Sequence, residues 1–206
     1  MCIRDRLLTD SNKKYLERVF GCRVFDNYGC SEIGPIANSC ERGNKHIFED
    51  SVIVESIEDK DMKLGGKGRI IVTNLENEVM PLIRYDVGDI ISVSDKACPC
   101  GRNTMTLEVF GREDEFIRVG GKDIGVVDID KVLGGILGID FYQIVQKGEN
   151  LFNVNVVNNG EWESGTPELI RKTLMPLLGK RAMINIRPVS EIKPEKSGKF
   201  KLVKKE

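Results

Sequence analysis

The sequence lacks an excess of either charge: 31 Lys and Arg stand against 32 Asp and Glu, a formal net charge of −1. A balance that close points to neither a nucleic acid nor a membrane surface as partner. Long hydrophobic runs are missing as well. The longest stretch without a formal charge, Asn150 to Gly160, contains five asparagines and cannot span a bilayer. No charged-then-apolar leader opens the chain, so the expectation is a protein that is not secreted and is cytoplasmic. Internal repeats and low-complexity tracts are absent, and histidine is reduced to one residue, His46.

What is present is ordinary in bulk: 206 residues, 40% hydrophobic and 31% charged, enough for one large domain or two small ones with a sizeable core. Six cysteines in a cytosolic chain favour metal ligation or buried thiols over disulfides. The opening MCIRDR resembles the read-through translation of a transposon adapter used in sequencing libraries. Residues 1–6 are therefore expected to be artefactual, Cys2 with them, and the chain to be a piece of a longer protein.

The chain divides near Gly111–Asp114 into residues 1–110 and 111–206, an α+β arrangement. In the first part SNKKYLERVFG reads as a helix with Ser11 as cap and Gly21 as stop. Short strands follow at Val52–Val54 with Ile57 beyond, at GRIIVTNL and at DIISVSD, with a turn at Gly65–Gly68. In the second part FIRVGGKDIG predicts a hairpin about Gly120–Gly121, since glycine tolerates the positive φ that such turns need. VVDIDKVLGGI has helical spacing, DFYQIVQKG and LFNVNVVN read as strands, and TPELIRKTLMPLLG as an amphipathic helix. That helix has Thr166 as N-cap, Pro167 at its first position, Gly179 as stop, and Pro176 expected to kink it or end it early. AMINIRPV closes with a strand, giving the pattern of a small sandwich of the ferredoxin-like class.

Four motifs carry the chemistry, each of which in isolation also reads as a plain turn or a solvated tail. FDNYGCSEIG at Phe25–Gly34 offers a ring to stack on a base, a glycine for close backbone approach, a hydroxyl for a phosphate and a carboxylate for Mg²⁺. IRYDVGD at Ile83–Asp89 offers an aspartate that can accept both ribose hydroxyls. GREDEFIRVGGKDI at Gly111–Ile124 adds an arginine and a glycine bend. PEKSGKF at Pro194–Phe200 places a lysine near a mobile C-terminus, where it can be delivered to developing negative charge.

Taken in order, these motifs resemble the adenylate-forming superfamily of acyl-CoA synthetases, most closely the phenylacetate–CoA ligase branch and its capsule-biosynthesis relatives. MPLIRY and the CPCGR segment favour that branch, and the likeness runs from about residue 15 to the end. It implies the β-rich C-terminal part of a large nucleotide-binding domain over residues 1–110 and a mobile lid over 111–206. It further implies that Tyr28 stacks on adenine beside Gly29, that Ser31 reaches a phosphate and that Glu32 holds Mg²⁺. Asp89 and Arg112 would bind the ribose, Asp114 would be the hinge, and Gly120 and Gly121 would approach the CoA channel. Lys199 would meet the carboxylate and α-phosphate. The implied chemistry is ATP-dependent conversion of an aryl or acyl carboxylic acid to an acyl-adenylate, then transfer to CoA. A homodimer of a full-length parent stays open. Asp86 and Val87 depart from the family's usual Arg-Thr, and no Ser/Thr/Gly-rich phosphate loop precedes the first motif, so the piece alone is expected to be inactive.

Cys40, His46, Cys98 and Cys100 give Cys-x5-His and, far along, Cys-Pro-Cys, a three-thiolate, one-imidazole set suited to tetrahedral zinc. The other reading is a lone strand histidine beside buried thiols. Cys30 is expected to line the acyl pocket and Cys22 to be a small core residue. Two further functions compete with the ligase: adenylation with a carrier protein or other cofactor as acceptor, and a non-catalytic nucleotide- or zinc-binding module.

Overall fold

The computed structural model describes residues 7–58, 61–62, 66–195 and 200–206. Two compact units emerge, Gly21–Glu113 on one hand and Asp114–Glu206 together with the N-terminal helix on the other. This division falls a few residues after the joint read from the sequence and groups the first helix with the later unit.

The Gly21–Glu113 unit is one eight-stranded antiparallel sheet. Its strands are β1 (Asn27–Cys30), β2 (Gly34–Ser39), β3 (Lys45–Ile47), β4 (Val52–Glu58), β5 (Asp61–Met62), β6 (Gly68–Asn74), β7 (Tyr85–Ser94) and β8 (Thr106–Arg112). They lie in the order β1-β2-β3-β8-β7-β6-β4-β5. Residues two apart share a face of a strand, and Ile70 and Val72, Ile91 and Val93, and Leu107 and Val109 are buried in that spacing. The sheet has a seam. Between β3 and β8 the register is Lys45 opposite Leu107 and His46 opposite Thr106, followed by the Ile47 amide donating to the Met105 carbonyl at 2.9 Å. Along β7 and β8 it continues from Asp89–Arg112 to Ser94–Thr106.

The second unit is an α+β sandwich. Helix α1 (Asp10–Phe20) precedes it in sequence. Hairpin strands β9 (Ile117–Val119) and β10 (Lys122–Ile124) turn through Gly120 and Gly121, at φ 55° and 81°, the left-handed pair that a tight hairpin turn requires. Helix α2 (Val126–Leu133), strands β11 (Ile139–Gln146) and β12 (Leu151–Asn158), helix α3 (Thr166–Leu178), and strands β13 (Met183–Pro188) and β14 (Val203–Lys205) follow. The sheet runs β13-β12-β11-β14, with β11–β12 antiparallel and the outer two pairings parallel. Its core gathers Ile129 and Leu133 of α2, Ile170 and Leu174 of α3, and Ile144, Phe152 and Val154 of the sheet, all essentially without solvent exposure.

Several local expectations are corrected. Thr9, not Ser11, caps α1: its hydroxyl and carbonyl accept from the amides of Asn12 and Lys13. Ser11 instead donates to the buried carboxylate of Asp130 on α2. Thr166 is the first helical residue of α3 and Gly165 the cap. Pro176 neither stops nor shortens α3, because the missing donor falls in the last turn, where the Gly179 amide still reaches the Met175 carbonyl at 2.9 Å. In the sandwich, β13 sits directly beside β12, and β14 takes the place on the far side of β11. The βαβ unit is therefore unsplit, unlike that of a ferredoxin-like sheet. The segment that ends the chain is thus a strand of the sheet and not a free tail.

Candidate functional site

In a flat sheet with strands about 4.8 Å apart, β1 and β7 would lie about 19 Å from one another, four places along. Yet the Tyr28 hydroxyl on β1 donates to Asp89 Oδ2 on β7 at 2.7 Å. The sheet therefore curls, and two motif residues 61 positions apart in sequence meet. Arg112 is the cross-strand partner of Asp89 in the β7–β8 register, and its Nη1 stands 4.0 Å from Asp89 Oδ1. Burial, reinforced by the adjacent Asp89 carboxylate, drives the Tyr28 pKa far upward, so the phenol stays a donor at any physiological pH.

Two glycines make this geometry fit. A Cβ on Gly29 would stand 2.2 Å from the Gly34 carbonyl oxygen, so no side chain is admitted where the β1–β2 hairpin narrows. Gly88 has φ +81°, and a Cβ there would stand 3.1 Å from Arg112 Nη2. The turn between β1 and β2 carries Ser31 and Glu32, both exposed, and is anchored by Asn74 Nδ2 donating to the Ile33 carbonyl at 2.9 Å. An exposed carboxylate of this kind suits Mg²⁺, which keeps several waters and takes few protein ligands. Burial pushes the neighbouring Cys30 thiol up. The departure at Asp86 has a structural use: its carboxylate accepts from the Gly88 amide at 3.0 Å and pairs with Arg69, fixing the bend that leads into Asp89.

In the sandwich unit, Asp114 pairs with Lys201. The Lys201 carbonyl accepts from Gln143 Nε2 at 2.7 Å, the Leu202 carbonyl accepts from the Ile144 amide at 2.8 Å, and the Phe200 ring meets Phe141 edge-on at 5.4 Å. Lys199 itself lies outside the described residues. Gly120 and Gly121 sit at the exposed tip of the β9–β10 hairpin with open space where side chains would be.

The cysteine and histidine side chains named from the sequence also come together. The ligand atoms of Cys40, His46, Cys98 and Cys100 all lie within 4.8 Å of one another. Cys40 Sγ and Cys98 Sγ are 3.9 Å apart, and Cys100 Sγ is 3.2 Å from His46 Nε2. His46 Nδ1 is hydrogen-bonded to Thr104 Oγ1 at 3.0 Å, and Asn44 Nδ2 donates to Cys98 Sγ at 3.2 Å. The Asn44 amide, then the Cys100 backbone amide, hold the Cys98 thiol down at about 6. At Cys100 the Arg102 amide pulls the other way, but burial and the neighbouring thiols carry the net shift upward. Cys22 is exposed rather than a core residue.

Sequence reasoning missed Asn44, Thr104, Gln143 and Lys201. A hydroxyl four residues past Cys100 and an amide two before His46 were the available signals for the first pair. Gln143 and Lys201 carried none, because their roles come from the pairing of β11 with β14. Among the described residues, no helix is long and apolar enough to cross a membrane.

Comparison with known proteins agrees with these motifs. A family model for the CapK C-terminal domain matches residues 116–206. The phenylacetate–coenzyme A ligase of Thermus thermophilus is 32% identical over 150 residues, which is 68% of this chain and 34% of that protein. Protein CapK of Staphylococcus aureus is 27% identical over 120 residues, 57% of this chain and 26% of its own length. The chain thus spans about a third or less of these relatives. In fold it is similar to the crystal structure of 2-hydroxyisobutyryl-CoA ligase in the postadenylation state in complex with R3-HIB-AMP, at a TM-score of 0.79 and 22% identity, over 95% of this chain and 45% of that one.

Proposed function

Because this chain belongs to the adenylate-forming superfamily, in the branch of the phenylacetate–CoA ligases and CapK, we propose that it is the C-terminal part of an ATP-dependent acid–CoA ligase. In this reading the parent protein joins a carboxylic acid, aryl or acyl, to AMP and then passes the acyl group to CoA. The observation that carries it is the convergence of Tyr28, Asp89 and Arg112, residues of three motifs distant in sequence that meet in one contact.

The chemistry asks each residue for something it can supply. The Tyr28 ring offers a face for adenine while its hydroxyl holds Asp89 in place. Asp89 can accept both ribose hydroxyls, with Arg112 balancing its charge. Ser31 and Glu32, on the turn that Gly29 allows, would face the phosphates. A Mg²⁺ held by Glu32 would neutralise phosphate charge. The acid's carboxylate oxygen attacks the α-phosphorus and pyrophosphate leaves; Lys199 would neutralise charge on the two reacting anions. The CoA thiolate then attacks the acyl carbon and AMP leaves. Rotation at Asp114 would exchange Lys199 for the Gly120–Gly121 hairpin between the two steps.

The test uses a full-length protein containing this segment. Acid-dependent ATP–pyrophosphate exchange is expected, with CoA-dependent release of AMP, and both should collapse in Asp89→Ala. Exchange that persists undiminished in that variant defeats the reading. AMP release that answers to a carrier protein and not to CoA would keep the adenylation and change the acceptor. The 206-residue chain alone, which contains no Ser/Thr/Gly-rich phosphate loop before Tyr28, is expected to show no exchange.

A further inference from the structure

We propose that Cys40, His46, Cys98 and Cys100 bind one zinc ion, and that this ion staples the seam of the curled sheet across which Tyr28 and Asp89 meet. The argument begins with the donor set. Three thiols and an imidazole are soft and borderline ligands that suit a four-coordinate tetrahedral ion, and no carboxylate belongs to the group. A zinc–sulfur distance of about 2.3 Å sets tetrahedral sulfur–sulfur separations of about 3.8 Å. Cys40 and Cys98 stand at 3.9 Å. That spacing is far beyond the about 2.05 Å of a disulfide, so the pair is arranged around a gap and not bonded across it.

The surroundings orient the ligands as metal sites require. Cys40 and His46 are 3% and 4% exposed, so water does not compete for them. Thr104 occupies Nδ1 of His46 and leaves Nε2 for the ion, the outer hydrogen bond that fixes a ligating imidazole. Asn44 donates to Cys98 Sγ, a bond that favours the thiolate.

Position supplies the function. Cys40 and His46 come from the β2–β3 side of the seam, Cys98 and Cys100 from the loop joining β7 to β8. Backbone pairing between β3 and β8 is short, with Lys45–Leu107 and His46–Thr106 in register and one further bond from the Ile47 amide to the Met105 carbonyl at 2.9 Å. Tyr28 is carried by the β1–β2–β3 side and Asp89 by the β8–β7 side, so their contact depends on how tightly that seam closes. An ion drawing one pair of ligands from each side would add a cross-link to the few backbone bonds that join β3 to β8. The staple's benefit to nucleotide binding rests on the ligase reading above; the ion and its effect on the sheet do not.

The experiment uses the 206-residue chain purified without chelator. Elemental analysis should give about one zinc per chain, and a Cys98→Ser/Cys100→Ser double variant should lose it. Amide hydrogen exchange in Asn27–Cys30 and Lys45–Ile47 should become at least about tenfold faster in that variant, while β11 and β12 exchange as before. Should the double variant fail to fold, the same measurement is made on the unaltered chain after zinc extraction by a chelator and again after zinc is returned, with reversal expected. Unchanged metal content in the double variant overturns the site, as does metal-free chain with Cys40 and Cys98 joined as a disulfide, read by thiol titration. Zinc loss without faster exchange at the seam overturns the staple. Failure of the nucleotide reading would show instead as exchange activity indifferent to Asp89→Ala, with zinc still bound.

Discussion

The two units are held together by different means. The sandwich unit has a continuous apolar core in which two helices cover a sheet, and Phe152, Ile144 and Leu174 are wholly enclosed. The strand-rich unit spreads its buried residues along a curled sheet, and across the short β3–β8 junction it adds polar groups: the Tyr28–Asp89 hydrogen bond and the thiol–imidazole cluster. The lesson is that a unit with two helices over its sheet can close an interior of its own, whereas a sheet curled on itself can keep its shape through polar contacts between distant strands.

The comparison breaks first, and most visibly, in the sandwich core. Phe152→Ala should destabilise that unit by about 3–5 kcal/mol, seen by exchange in β11 and β12, while the amides of β6 and β7 keep their protection. Simultaneous loss in both units would mean that they share one cooperative structure. Next in size is Lys199→Ala in a full-length protein. Adenylate formation should slow by a factor equivalent to about 3 kcal/mol, as when an oxyanion donor is lost, yet a supplied acyl-adenylate should still react with CoA. Equal slowing of both half-reactions would leave Lys199 a structural residue. Asp114→Pro should show the opposite split, since a fixed φ impedes rotation rather than the first step.

Smaller effects sharpen the contrast. Gly29→Ala should cost the strand-rich unit about 1–3 kcal/mol, because the new methyl group meets the Gly34 carbonyl and the hairpin must open to admit it. A melting temperature identical to that of the parent chain would show that the hairpin is looser than its geometry. Lys201→Met should cost the sandwich less than about 1 kcal/mol, the usual worth of an exposed ion pair. A larger loss in a denaturant titration would mean that the Asp114 pair is integral to the fold.

Periodicity revealed most of the sandwich: both strands of β11–β12, the two helices and the glycine hairpin follow from residues a reader can count. The strand-rich unit was less legible, because short strands such as Lys45–Ile47 have too few residues to show a period and owe their state to neighbours. Motif spacing named Tyr28, Asp89 and Arg112, and the structure brings them together. It could not announce that Arg112 lies opposite Asp89, since register belongs to the paired strands and not to either alone. Cysteine spacing named the four residues of the cluster, while Asn44 and Thr104 gave only their nearness to His46 and Cys100 as a signal, their partners being set by the curl. Capping was misread at Ser11 and Thr166 by one or two positions, the usual play where several hydroxyl-bearing residues stand together.

The seam between β3 and β8 also governs when the sheet can form. All the other strand pairings described for that unit join near neighbours along the chain, as successive hairpins do, and such contacts close quickly. His46 and Thr104, by contrast, are 58 positions apart, and bringing such ends together costs roughly 3–4 kcal/mol of chain entropy beyond a constant. The two halves of the sheet can therefore assemble early and independently, and the slow event is their meeting. Tyr28 and Asp89 acquire one another at that moment, so their contact is the last part of this unit to come into existence.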